Sequence, residues 1–137
     1  MSHMLKISEA ASLALHAVVF LAAKPDRLVP TREIASTLHL SEAHLSKVLQ
    51  RLARVGLVQS IRGPKGGFTL GKPCDRISLL DVYEAIEGPF VSSNCLLGSP
   101  VCGGEQCILG GLLETANKLV EEYLAGTKLS ELNHVYV

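Results

Sequence analysis

Apolar residues recur along the chain at helical spacing in several segments and at strand-like spacing in two. The pattern predicts a strongly apolar first helix from Ile7 to Ala23. A second helix should run from Thr31, whose hydroxyl we expect to cap it, to Leu38, and a third should begin after Ser41 and end at Gly56. In the third helix the apolar side chains follow three- and four-residue steps and leave a polar, basic face opposite. These apolar residues are Leu45, Val48, Leu49, Leu52 and Val55.

Two strand-like runs follow the third helix and predict a hairpin. Leu57–Ile61 and Phe68–Leu70 flank a glycine-rich segment that carries two cations, Arg62 and Lys65. Because Gly67 leads into a strand and not into a helix, the segment does not fit a nucleotide-binding loop. Two short helices followed by a cationic hairpin are typical of a winged helix-turn-helix.

The second half of the chain is predicted to contain two more helices around a cysteine-bearing loop. Ser78 and Asp81 have capping-box spacing, and the helix that they open should end at Gly88. A loop follows to Cys107, and the last helix should span about Ile108 to Ala125. Its apolar residues follow the a/d steps of a coiled coil, widened by Leu113 and Val120, so we expect it to pack on its own domain and on a second subunit. The a/d residues are Leu109, Leu112, Ala116, Leu119 and Tyr123.

These elements define a mainly α fold with a small β wing: a winged helix-turn-helix domain plus a C-terminal dimerisation helix. We expect residues 1–4 to be a cloning scar, residues 5–72 to form the DNA-binding domain, and residues 73–137 to form the sensor loop and dimerisation helices. The longest apolar stretch, Ala10 to Ala23, is too short for a membrane span. It is better used as a buried helix than as an export signal, so we expect a cytoplasmic protein.

The formal net charge of zero hides two oppositely charged halves. Residues 1–72 carry ten basic and four acidic side chains, a net charge of +6, and residues 73–137 carry three basic and nine acidic ones, a net charge of −6. Such an asymmetry favours contact of the first half with a polyanion. The absence of Trp, with only three Tyr and three Phe, argues against a stacking platform for single-stranded nucleic acid. Double-stranded DNA is therefore the expected partner.

The third helix and the hairpin supply the candidate DNA contacts. The early turns of the helix should meet base edges in the major groove, Arg51 and Arg54 should lie further along near phosphates, and the wing cations should reach the adjacent backbone or minor groove. The alternative to DNA contact is that these side chains form a charged surface that only meets solvent. The candidate DNA-binding residues are Ser41, Glu42, Ala43, His44, Ser46, Lys47, Arg51, Arg62 and Lys65.

Three cysteines crowd the loop before the last helix. Cys95, Cys102 and Cys107 are separated by six and four residues, and thiolates are soft ligands suited to an iron–sulfur cluster or zinc. The lack of a Cys-x-x-Cys pair disfavours a structural zinc ribbon. Three reduced thiols, or a reversible disulfide, are the alternatives. Cys74 lies in the linker, where we interpret it as an ordinary thiol.

The chain resembles the Rrf-type winged-helix transcription regulators, a family that includes the regulators IscR, NsrR and CymR. The resemblance covers nearly the whole chain. It implies a homodimer joined through the long C-terminal helices, a palindromic promoter site and, in some members, a 2Fe–2S or 4Fe–4S cluster on the cysteine trio that alters DNA affinity. The segments that carry it are Leu5 to Leu21, Leu45 to Leu52, Gly56 to Val58, Arg62 to Phe68, Ile77 to Val82, Ala85 to Gly88 and the three cysteines.

Two departures from the family leave the fourth cluster ligand unassigned. The IscR branch has five residues between successive cysteines and a His three residues after the last one, where this chain has Gly110. Other members take a carboxylate from the partner's first helix, at the position of Ser12. The candidates are Glu9, Ser12, His16 and Glu105, although a histidine on an apolar helix is more often a packed core or interface residue.

The sequence therefore predicts a dimeric, sequence-specific DNA-binding regulator that senses redox, iron–sulfur or nitric oxide status through a cysteine-ligated cluster. A cluster-free regulator that responds by thiol oxidation or through a partner protein is the alternative. We do not expect an enzyme, because a cysteine nucleophile needs a base and no histidine follows the trio until His134.

Overall fold

Five α-helices and one β-hairpin make up the part of the chain that the computed structural model describes, residues 7–91, 97, 101–102 and 107–136. Two single turns of 3₁₀ helix, Cys74–Arg76 and Leu129–Glu131, flank the last two α-helices in sequence. The predicted class, mainly α with a small wing, is confirmed. The elements are α1 (Glu9–Ala22), α2 (Thr31–Leu38), α3 (Glu42–Arg54), β1 (Val58–Ile61), β2 (Gly67–Leu70), α4 (Leu79–Glu87) and α5 (Leu112–Gly126).

Side-chain caps explain where three of the helices begin. The Ser8 hydroxyl accepts from the Ala11 N–H, so α1 starts two residues later than its apolar run suggests. Ser41 caps α3 by accepting from the His44 N–H, as predicted. The capping box of α4 is also confirmed, with reciprocal bonds of 3.0 Å between Ser78 and Asp81.

The predicted span of α2, Thr31–Leu38, is confirmed, but its predicted cap and the predicted start of the last helix are wrong. Thr31 is the first helical residue of α2 and not its cap, because Pro30 stands at the N-cap position in extended conformation without a side-chain bond. The last helix begins at Leu112 and not at Ile108. A turn over 107–110 precedes it, closed by a 2.9 Å bond from the Gly110 N–H to the Cys107 carbonyl, and Gly110 has a φ of 59°. That left-handed conformation suits glycine and interrupts the helical pattern.

The core is centred on α1 and extends across the predicted domain boundary. Val18 and Leu21 of α1 are nearly or completely buried, as is Leu45 on the inner face of α3. Ile77 and Leu129, both from the second half of the chain, are also fully buried in this cluster. Side chains from both sides of residue 72 pack in one core. The proposed division into a DNA-binding part and a sensor part therefore stays a prediction about function. No helix among the described residues is both long enough and apolar enough to cross a bilayer.

The hairpin is tied to the loop before α2. β1 and β2 pair antiparallel from Val58↔Leu70 to Ile61↔Gly67. Val29 adds a third, single-residue pairing: its N–H donates to the Phe68 carbonyl and its carbonyl accepts from the Phe68 N–H, both at 2.9 Å. Near the turn of the hairpin, the wing is therefore joined to the loop before α2.

Candidate nucleic-acid interface and cysteine loop

The amphipathic pattern of α3 divides it into a buried face and an outer face. Leu45, Val48, Leu49 and Leu52 are buried, whereas Glu42, Ala43 and Lys47 of its first turns are exposed and His44 and Ser46 are half-buried. The predicted base-reading residues thus lie together at the N-terminal end of α3, beside the exposed cap residue Ser41. This is the end of a recognition helix that meets base edges in winged helix-turn-helix proteins.

The turn between α2 and α3 depends on a left-handed residue. His39, the residue after α2, has φ 56° and ψ 48°, the one positive φ among the described non-glycine residues. The Leu40 N–H then donates to the Ala35 carbonyl at 2.9 Å, which satisfies the open end of α2. This tight reversal sets the relative orientation of the two helices.

A groove of about 340 Å³ separates the wing from the starts of α2 and α3. Arg32 and Arg62 contribute cations to it, and Glu42 contributes an anion. Both wing cations, Arg62 and Lys65, are exposed near the hairpin tip. The outer face of α3, the groove and the hairpin tip therefore adjoin and form one surface that carries several cations.

Not every cation near this surface is available to a polyanion. Arg27 forms a two-pronged ion pair with Glu33, with Nη1···Oε1 at 3.0 Å and Nη2···Oε2 at 2.5 Å. Hydrogen bonding from Arg27 lowers the pKa of the Glu33 carboxyl, and the same bond raises the pKa of Arg27. The pair fixes the loop before α2 to the first turn of that helix.

Arg51, predicted to lie near phosphates, has an internal partner. Its Nη2 donates to the carbonyl oxygen of Ile86 at 2.7 Å, close to the C-terminal end of α4. The residue as a whole remains exposed on α3, as does Arg54. Nothing in the sequence signals this contact, because Ile86 lies 35 positions away and accepts through its main chain.

The three candidate fourth ligands on α1 occupy its first two turns. The Glu9 carboxylate is 82% exposed and lies 3.9 Å from Nδ1 of His44 on α3. His16 is exposed, and its Nδ1 lies 2.7 Å from the Ser12 carbonyl oxygen and 3.5 Å from the Ser12 hydroxyl. His16 is therefore not a packed core residue. Glu105, the fourth candidate, lies outside the described residues.

Two of the three cysteines of the loop can be placed. Cys102 is exposed and Cys107 is half-buried, and neither is in a disulfide, whereas Cys95 lies outside the described residues. Within the described ranges, no group of three His, Cys, Asp or Glu side chains is close enough to hold a metal. The two placed thiols fit the donor chemistry of a thiolate-bound centre, since both are reduced and accessible.

The start of the loop is fastened to α4. Gly88 leaves the helix with φ 86°, and the Phe90 N–H then donates to Oε2 of Glu84 at 2.7 Å. The rings of Tyr83 and Phe90 pack with their centroids 5.8 Å apart. The residues that lead towards the cysteines are therefore held by a hydrogen bond to the Glu84 carboxylate and by an aromatic contact.

The outer face of α5 is an apolar row that the rest of the described chain does not cover. Leu112, Leu119 and Tyr123 are 59%, 67% and 61% exposed, and Ala116 lies exposed between them. On the other side of the helix Leu124 is buried and Val120 packs against the core. Four of the five predicted a/d residues therefore lie exposed together, and the fifth, Leu109, is half-buried in the turn before the helix.

The features described above define a winged helix-turn-helix transcription regulator. They are a helix pair joined by a tight turn at His39, an outer polar face on the second helix and a cationic hairpin. A sequence model of the Rrf2 family, described as "Iron-dependent Transcriptional regulator", matches residues 7–134. The chain belongs to the Rrf2 family, whose members regulate transcription and are not enzymes. The predicted family resemblance is confirmed.

Individual relatives agree with this assignment. An HTH-type transcriptional regulator of Aquifex aeolicus is 31% identical over 131 residues, which are 93% of this chain and 91% of that protein. The HTH-type transcriptional regulator NsrR of Bacillus licheniformis is 33% identical over 88% of this chain and 84% of its own length. The solved structure of CymR, the global cysteine regulator of B. subtilis, superposes with a TM-score of 0.80 at 33% identity and covers 96% of this chain and 98% of that one.

Proposed function

We propose that the protein is a homodimeric, cytoplasmic regulator that binds a palindromic promoter site and senses redox, iron–sulfur or nitric oxide status through a cluster on Cys95, Cys102 and Cys107. The observation that carries the proposal is the combination, in one small fold, of an outward-facing recognition helix, a helix with an apolar row that the described residues leave uncovered, and two free thiols, Cys102 and Cys107, that precede this helix in the chain. The first feature serves DNA reading, and the other two serve pairing and sensing.

The DNA-binding part rests on the outer face of α3 and the wing. Ser41, Glu42, Ala43, His44, Ser46 and Lys47 would face base edges, and Arg62 and Lys65 would contact the backbone. Cations that neutralise phosphates release counterions, so affinity should fall steeply with salt. Lys65→Ala should reduce the slope of log K against log salt by about 0.9, measured by fluorescence anisotropy on a DNA fragment that the wild-type protein selects from a random library. Lys118→Ala, an exposed lysine of α5, is the matched control and should leave the slope unchanged.

The pairing part rests on the exposed row of α5. Contiguous exposed apolar side chains at a/d spacing are typical of a helix that packs against another helix. A second copy of this chain offers the same row. In a two-fold symmetric dimer, the two α5 rows would pack against each other and both would be covered. It would also place two recognition helices for the two halves of a palindrome.

The sensing part rests on the chemistry of the thiols. A cluster held by the three thiolates would supply a centre that oxidation, nitrosylation or loss of iron can change. Glu9, Ser12, His16 or Glu105 is the fourth-ligand candidate set. The glycines at positions 110 and 111 give the segment between Cys107 and α5 the freedom to shift with the loop. Anaerobic reconstitution with iron and sulfide should give a charge-transfer absorption spectrum and retained iron, and failure to retain either would refute the cluster.

A cluster-free regulator that responds by thiol oxidation is the second candidate. Cys102 is exposed, Cys107 is accessible, and a structural relative is named a global cysteine regulator. Cys95→Ser would separate the two functions. If the variant alters the response of DNA binding to peroxide but the wild-type protein contains no iron, thiol chemistry is the sensor.

A further inference from the structure

Arg51 lies on the basic outer side of α3 and is exposed, but its guanidinium hydrogen-bonds the main chain of α4. The 2.7 Å bond from Nη2 to the Ile86 carbonyl joins the recognition helix to the last turn of α4. Carbonyls of a last helical turn lack partners within the helix and lie at the negative end of its dipole, so a guanidinium is a well-matched donor there. A hydrogen bond with a charged donor is stronger than one between neutral groups.

Three other polar groups around this turn have partners of their own: the Gly88 and Phe90 N–H groups and the Glu87 carboxylate. The Gly88 N–H donates to the Glu84 carbonyl at 2.9 Å, and the Phe90 N–H donates to the Glu84 carboxylate instead of to Ile86. The Ile86 carbonyl is thereby left for Arg51. On the other side, the Ser8 hydroxyl at the start of α1 donates to the Glu87 carboxylate.

The end of α4 is therefore fixed to α1 and to its own following loop without help from Arg51. A bond from α3 to such a fixed point restrains the rotation and tilt of α3. Within the helix, the base-reading residues begin at Glu42, nine positions before Arg51 and about 13.5 Å along the axis at 1.5 Å per residue. Over that distance a tilt of about 10° at Arg51 moves the reading end by about 2 Å, which is enough to break side-chain bonds to base edges.

We propose that Arg51 is a positioning residue that sets the angle of the recognition helix through the Ile86 carbonyl, and not a phosphate contact. The inference rests on the proposed DNA-binding function and deepens it, because it assigns sequence discrimination to a side chain that touches no base. The same bond links the reading helix to the α4 end from which the chain runs towards the cysteines.

Binding to two DNAs separates this role from a phosphate contact. The probes are the fragment that the wild-type protein selects from a random library and a shuffled fragment of equal length. Arg51→Met should weaken binding to the selected fragment about tenfold, leave the shuffled fragment nearly unaffected and keep the salt slope of the wild type. Arg54→Met is the matched control on the next turn. If Arg54 contacts phosphate, this variant should weaken binding to both fragments alike and reduce the slope by about 0.9.

Arg51→Lys keeps the charge but loses the planar guanidinium, and it covers the case in which the methionine variant does not fold. It should lose discrimination under the proposed role and behave like the wild type under a phosphate role. Equal weakening on both fragments with a reduced slope in Arg51→Met, or wild-type discrimination in the variants that fold, would overturn the inference. Failure of the wild-type protein to prefer any DNA would instead overturn the proposed function itself.

Discussion

Adding one methyl group at Gly67 should displace the wing from the loop before α2. Gly67 begins β2 next to the single-residue pairing between Val29 and Phe68. A Cβ at this position would lie 2.6 Å from the Val29 carbonyl oxygen and 2.7 Å from the Val29 carbonyl carbon. Both neighbours are main chain, so no side-chain rotation relieves the clash, and β2 has to move away from the α1–α2 loop.

The expected cost of Gly67→Ala is about 1–3 kcal/mol of unfolding free energy. Overpacking in well-packed regions costs about that much. A displaced β2 also stretches the two 2.9 Å bonds between Val29 and Phe68, each worth about 0.5–1.5 kcal/mol net. Because the hairpin tip carries Arg62 and Lys65, the same displacement should weaken DNA binding beyond the loss of stability.

Urea unfolding followed by circular dichroism measures the first effect, and hydrogen exchange at the Val29 and Phe68 amides locates it. Gly111→Ala is the matched control, since Gly111 has a φ of −92° and nothing within 4 Å of its Cβ position. An unchanged midpoint for Gly67→Ala, with both amides as protected as in the wild type, would show that the close approach to Val29 does not constrain the wing.

Three further predictions concern the turn, the ion pair and α5. His39→Gly should raise the free energy of unfolding by up to about 1 kcal/mol. Glycine removes the steric cost of the left-handed conformation at this position, and the larger backbone entropy that glycine loses on folding offsets part of the gain. A lower urea midpoint would contradict this. Glu33→Gln should lower the thermal midpoint at neutral pH. The pKa of Glu33 is lowered in the folded state, so its contribution is present above the usual carboxyl pKa of 4.5 and disappears as pH falls through the lowered value. A difference that persists in strong acid would exclude the ion pair as its cause. Leu119→Glu should halve the mass in sedimentation and reduce DNA affinity while circular dichroism is retained, whereas its neighbour Lys118→Glu should do neither; a dimeric Leu119→Glu would place the partner surface elsewhere.

The sequence was sufficient to predict the elements that local chemistry determines. Ser41, Ser78 and Asp81 cap their helices as their spacing indicates, because a cap needs only a side chain within a few residues of the free N–H groups. The apolar steps of α3 likewise identified its buried face at Leu45, Val48, Leu49 and Leu52. The prediction of Val55 on the same face is wrong, because Val55 follows the last residue of the helix and is 53% exposed. The residues of α3 that do not belong to the buried face lie on the outer face, where the DNA contacts were predicted.

Features that depend on distant main chain could not be predicted. The Ile86 carbonyl that binds Arg51 and the Val29 peptide that pairs with Phe68 have no side-chain signature, since any residue type supplies the same groups. The start of α5 was missed for a different reason. Ile108 and Leu109 continue the apolar row, but the two glycines that follow stop the helix from extending back to them.

Under the proposed pairing through the exposed row on α5, the concentration of the protein would itself determine how much active regulator is present. If two chains must pair before either half of an operator is held firmly, then below the dissociation constant of the pair the active species rises with the square of chain concentration. Halving the number of chains then removes about three quarters of the pairs by mass action. The regulator would therefore bind its operator only once the concentration of chains approaches the dissociation constant of the pair. This dependence would come from the apolar row of Leu112, Leu119 and Tyr123 and not from any chemistry at the cysteines.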